Sequence, residues 1–135
     1  MISLHLDITT HICDFLNDQD ILSLSRTSKY FGRIKNFVIF HTQMYVKNIL
    51  NLPYFNRFCD VIVNDLSKPI PQSVAHLTFD YGFNQPTKNF IPKSVTHLTF
   101  GRAFNKLIKD SIPGSVTHLT FGLKFNQLKI LYRHR

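Results

Sequence analysis

Three histidines, His76, His97 and His118, recur at a constant interval of 21 residues, and each is followed two positions later by a threonine, Thr78, Thr99 and Thr120. Imidazoles are good ligands for zinc or copper, so an evenly spaced set invites a metal reading. A metal ion, however, needs ligands that converge on it. Histidines on neighbouring strands of a flat sheet stand in a line about 4.8 Å apart and do not converge. No metal and no cofactor is therefore expected. The remaining ingredients of catalysis are scattered: there is no GxSxG elbow, glycine-rich phosphate loop, HExxH or paired Cys/His zinc spacing, so an enzyme is not expected either. Cys13 and Cys59 lack a CxxC spacing and read as small buried hydrophobes in a reducing compartment.

The histidines belong to a longer repeated phrase. "SVTHLTFG" occurs at Ser94 to Gly101 and again at Ser115 to Gly122, with "SVAHLTFD" at Ser73 to Asp80, and Ile70-Pro71, Ile91-Pro92 and Ile112-Pro113 open the three copies. A fixed period of this size is the mark of a solenoid. The apolar spacing within a copy is that of a leucine-rich-repeat strand, which predicts inward rows Val74/Val95/Val116, Leu77/Leu98/Leu119 and Phe79/Phe100/Phe121. No copy can bury these faces alone, so each depends on its neighbours. His76, Thr78, His97, Thr99, His118 and Thr120 then lie on the opposite face, as a target-binding surface. Asn84, Asn105 and Asn126 close the copies and are expected to turn inward at the end of the strand and bond the backbone of the neighbouring coil. Each proline suits the irregular lead into a strand, where no ladder N–H is needed.

The first fifty residues carry a helical pattern instead. Ile8, Ile12, Phe15 and Leu16 follow helical spacing, "NDQD" supplies turn and N-cap chemistry before Ile21, Leu22 and Leu24, and further helices are expected around Tyr30 to Ile34 and over 38–50.

"FLNDQDILSLSRTSKYF" resembles the middle of an F-box, a likeness covering about residues 2–40, with His5 standing where F-boxes usually carry proline. "NFIPKSVTHLTFGRAFN" is similar to the FNIP repeat, a relative of leucine-rich repeats known from amoebae and giant viruses, over residues 70–127. The combination resembles giant-virus F-box proteins. It implies an α+β chain: an N-terminal F-box-like helical bundle over 1–50, a linker with an irregular entry rung over 51–69, and a short leucine-rich-repeat-like parallel β solenoid over 70–135, with copies at 70–90, 91–111 and 112–132. It further implies a non-catalytic adaptor of a cullin-RING ubiquitin ligase, in which Leu4, His5, Ile8, Ile12, Leu16, Ile21, Leu22 and Leu24 meet the F-box-binding adaptor and the repeats hold a target. The alternative is an interaction scaffold that does not engage the ligase.

Charge refines the choice of partner. The net charge is +8, of which residues 51–135 carry +7. Such a balance favours an acidic protein target. Nucleic acid is disfavoured, because the phenylalanines coincide with the core rows and the Lys and Arg positions form no single row. No stretch reaches a membrane span and no secretory signal is visible, so an intracellular, cytoplasmic site is expected. The last rung has no following copy to cover it, which predicts weak self-association through that edge.

Overall fold

The computed structural model describes residues 2–126, with side chains from Asp7 onward. Two helices come first, α1 over Ile2–Cys13 and α2 over Asp18–Ser25. Asn17 caps α2, its side chain accepting the Asp20 backbone N–H at 2.9 Å and donating to the Asp20 carboxylate at 2.7 Å. Asp18 and Asp20 place negative charge in the first turn, where the helix dipole favours it. A 3-10 turn over Phe31–Asn36 packs on α2 and brings Ile34 into the core.

The helix expected over 38–50 is reduced to α3, Val46–Ile49, preceded by the two-residue strand β1, Met44–Tyr45. Burial alternates there: Val38 and Phe40 point inward and Ile39 outward, which is a strand period. Phe40 bridges Phe58 in parallel, its N–H donating to the Arg57 carbonyl at 2.7 Å, and its ring stacks on Phe58 at 5.1 Å. Tertiary pairing has overridden helical periodicity in this stretch.

Four further strands complete a parallel five-stranded sheet in simple chain order: β2 Asp60–Val63, β3 His76–Phe79, β4 His97–Thr99 and β5 His118–Thr120. The result is a leucine-rich-repeat-like solenoid of about four turns. Its last two steps keep the 21-residue period, pairing His76 with His97 and His97 with His118. Earlier steps are shorter, since Met44 pairs with Val61 and Asp60 with His76. "CDVIVND" is thus a full rung in register with the repeats, and the sheet already begins inside the first fifty residues.

The inward rows match expectation through the second copy, while on the last rung Val116 and Phe121 are half-buried and Leu119 is exposed. Val61, Leu77 and Leu98 form one buried row, and Val63, Phe79 and Phe100 another. The rings of Phe79, Phe100 and Phe121 follow one another at 5.1 and 5.3 Å, and Phe83, Phe104 and Phe125 form a second column at 6.2 and 6.0 Å. Each such side chain contributes about 1.5–3 kcal/mol when buried. Coil-to-coil contact is close enough that Gly101 has no room for a Cβ, which would run into the Asp80 carbonyl. Asn89 and Asp110, one repeat apart, adopt positive φ of 66° and 58°, a conformation that Asn and Asp tolerate.

The asparagine ladder is present but sits at the surface. Asn84 Oδ1 accepts the Asn105 backbone N–H at 2.9 Å, and Asn105 Oδ1 accepts that of Asn126 at 3.3 Å. Asn84 is exposed and Asn105 half-buried, so the ladder ties coils along the rim and does not turn fully inward. The end of the third copy and the basic tail, 127–135, lie outside the described residues.

Candidate functional site

Strand alternation sends every second residue of the sheet outward, and the register aligns these residues into two rows. One row runs Asp60, His76, His97, His118, and the other Tyr45, Ile62, Thr78, Thr99, Thr120. The structure therefore brings all six expected residues of the target-binding face together. Ring centroids of His76 and His97 lie 4.4 Å apart, and those of His97 and His118 lie 4.1 Å apart and nearly parallel at 5°. Side by side, the rings do not surround a common point. Among the described residues no group of three or more His, Cys, Asp or Glu is arranged to hold a metal ion.

Each ring is steered by a different neighbour. Thr96 Oγ1 lies 3.0 Å from His97 Nδ1 and Thr117 Oγ1 2.9 Å from His118 Nδ1. The first copy has Ala75 at this position, and His76 instead turns Nδ1 toward the Asp60 carboxylate at 3.9 Å. Asp60 is itself held by the Gln43 side-chain amide at 3.0 Å. Loss of solvent around the central ring, and then the charges that His118 and His76 carry when protonated, push the His97 imidazole below its ordinary value.

Sequence spacing did not single out Asp60, Gln43, Thr96 or Thr117. A usable signal exists for Asp60, because "CDVIV" at 59–63 aligns with "AHLTF" at 75–79 once the shorter coil is allowed. Thr96 and Thr117 precede their histidines directly, a position that a strand pattern assigns to the other face.

The second set of expected residues lies on the helices. Leu4 and His5 belong to α1, and their side chains lie outside the described residues. Ile8 and Ile12, four residues apart on α1, are 53% and 50% exposed, and Phe15, in the turn that follows the helix, is 80% exposed. Ile21, only 3% exposed, is part of the core and offers nothing to a partner, while Leu16, Leu22 and Leu24 are half-buried against it. Helical spacing alone cannot separate Ile8 from Ile21, since both recur with an apolar period.

Beside α1, a cleft of about 370 Å³ opens between Cys13, Asp14, Asp18, Ile39 and His41. His41 Nδ1 lies 3.2 Å from Cys59 Sγ. Burial first, and then the nearby Asp60 and Asp18 charges, push the Cys59 thiol up, so it is held protonated and is not an activated nucleophile. Burial likewise raises the Cys13 thiol, with Asp14 adding to it, and both cysteines are free.

Three overlapping segments, 66–103, 83–124 and 104–130, match the FNIP Repeat family. Over residues 66–130 the solenoid is similar to FNIP repeats. The chain is 31% identical over 91 residues to an FNIP repeat-containing protein of Acanthamoeba polyphaga mimivirus, a match covering 66% of this chain and 23% of that protein. Among solved structures it is similar to CroV588, described as a circular LRR protein, with a TM-score of 0.50 and 27% identity over 62% of this chain and 18% of that one. The chain thus spans less than a quarter of the length of either relative. In the matched segment rows of Val, Leu and Phe form the core, and the His/Thr rows face outward. Among the described residues no helix is long and apolar enough to cross a membrane.

Proposed function

We propose that this chain is a non-catalytic, substrate-recruiting adaptor of an F-box-type cullin-RING ubiquitin ligase. α1 docks on the F-box-binding adaptor, and the FNIP repeats hold a target protein on their His/Thr face. The observation that carries the reading is the apolar patch at the end of α1: Ile8 and Ile12 on the helix and Phe15 in the turn after it are exposed, although isoleucine and phenylalanine are ordinarily buried. An apolar helix face beside a folded core is the kind of surface that a partner covers. The F-box resemblance of the surrounding residues supplies the partner's identity by analogy.

The repeats support the other half of the proposal. Solenoids present broad surfaces used for protein binding, and across the three repeat strands the outward positions are uniformly His and Thr. Adaptor capture by the chain, compared with an Ile8→Asp/Ile12→Asp variant, tests the reading. Binding of a target without adaptor capture would leave the scaffold alternative.

A further inference from the structure

On the reading that the repeats hold their target on the outward face, we infer that His97 and His118 present a row of Nε2–H donors and that the segment they hold is an acidic stretch of protein. The deciding geometry lies at two backbone carbonyls. The Ala75 oxygen accepts the N–H of Thr96 at 2.9 Å and of His97 at 3.0 Å, and the Thr96 oxygen accepts the N–H of Thr117 at 2.9 Å and of His118 at 3.0 Å. A carbonyl oxygen has two lone pairs, so both are engaged.

The threonine hydroxyls stand between these filled carbonyls and the imidazoles. Thr96 Oγ1 is 3.3 Å from the Ala75 oxygen but 3.0 Å from His97 Nδ1. Thr117 Oγ1 is 3.2 Å from the Thr96 oxygen but 2.9 Å from His118 Nδ1. The single hydroxyl proton goes to the nearer acceptor with a free lone pair, which is Nδ1. Each neutral ring then carries its own proton on Nε2, on the side turned away from the threonine. A partner on this row must bring acceptors.

Charge selects among acceptors. Residues 81–135 contain nine Lys and Arg against one acid, Asp110, so the repeats attract anionic protein at long range. Polyphosphate fits less well, because neither outward row contains a Lys or Arg to neutralise it. The titratable groups facing the row are few. Asp60 on β2 faces His76, the three imidazoles face one another across β3, β4 and β5, and among the described residues no strand follows β5. A bound carboxylate favours the protonated imidazole, so mild acid converts neutral hydrogen bonds into charge-assisted ones and tightens the complex.

The probe is fluorescein-labelled octaglutamate, followed by anisotropy at pH 7.5 and 6.0, where glutamate remains ionised. Wild-type protein is expected to bind about fivefold or more tightly at the lower pH. His97→Gln/His118→Gln keeps a side-chain N–H and should retain the affinity at pH 7.5 while losing the gain at 6.0. His97→Leu/His118→Leu should lose binding at both values. Equal affinity of the leucine variant and wild type, tighter binding of octathymidylate than of octaglutamate, or nitrogen-15 spectra placing the proton on Nδ1 at pH 7.5 would each overturn the inference. Adaptor capture by α1 is read separately, so failure of either result leaves the other standing.

Discussion

The His97 ring lies between His76 and His118, 4.1 Å from the latter and almost parallel to it, and this sandwich resists protonation. The folded state holds the proton less well than the unfolded chain, whose histidine titrates near 6.5. The stability contribution is therefore complete above about pH 6.5 and is lost as pH falls through that value toward the depressed folded one. Melting midpoints at pH 7.5 and 5.0 should fall further for wild type than for His97→Gln. Equal pH-dependent drops in the two proteins would show that the stack has no such effect.

Gly101 is required by the close approach of its coil to the Asp80 carbonyl, whereas Gly114 has open space around a built Cβ. Gly101→Ala should lose about 1–3 kcal/mol in a denaturant titration, the usual cost of overpacking against backbone. Gly114→Ala should stay within about 0.5 kcal/mol of wild type. A tolerated Gly101→Ala would mean that the coils are spaced more widely than described.

Thr87 is fully buried, and its hydroxyl has no hydrogen-bond partner in the structure. One repeat later the same position is Ile108, packed against the core, and one repeat earlier it is Leu66. Thr87→Val removes the unpaired group at nearly constant volume and should stabilise the protein by about 1 kcal/mol. A loss of stability would reveal a partner for the hydroxyl.

The parts of this fold that were legible in the sequence are those the period repeats. The Val, Leu and Phe rows, the outward His and Thr rows and the asparagine ladder each follow from identical residues 21 positions apart, because copies stack in register. What escaped is where the period breaks. "CDVIVND" forms a rung in register although it lacks the Ile-Pro lead, and the coils on either side of it are shorter. Val38 and Phe40 fit a helical pattern because apolar residues are dense there, yet their alternation with Ile39 is what the parallel bridge to Phe58 uses. Likewise, Ile8 and Ile21 share a pattern in the sequence. Only packing decides that one faces solvent and the other the core.

That exposed face of α1 carries the central claim. The direct test is co-purification of the chain with the F-box-binding adaptor and cullin, using wild type and Ile8→Asp/Ile12→Asp, both shown to be folded by circular dichroism. Both positions are about half exposed, so the substitutions should leave stability within about 0.5 kcal/mol. The account predicts adaptor and cullin with the wild type and at least a tenfold loss with the variant, about 1.4 kcal/mol or more. Failure of the wild-type chain to capture the adaptor, or equal capture by the variant, would contradict it.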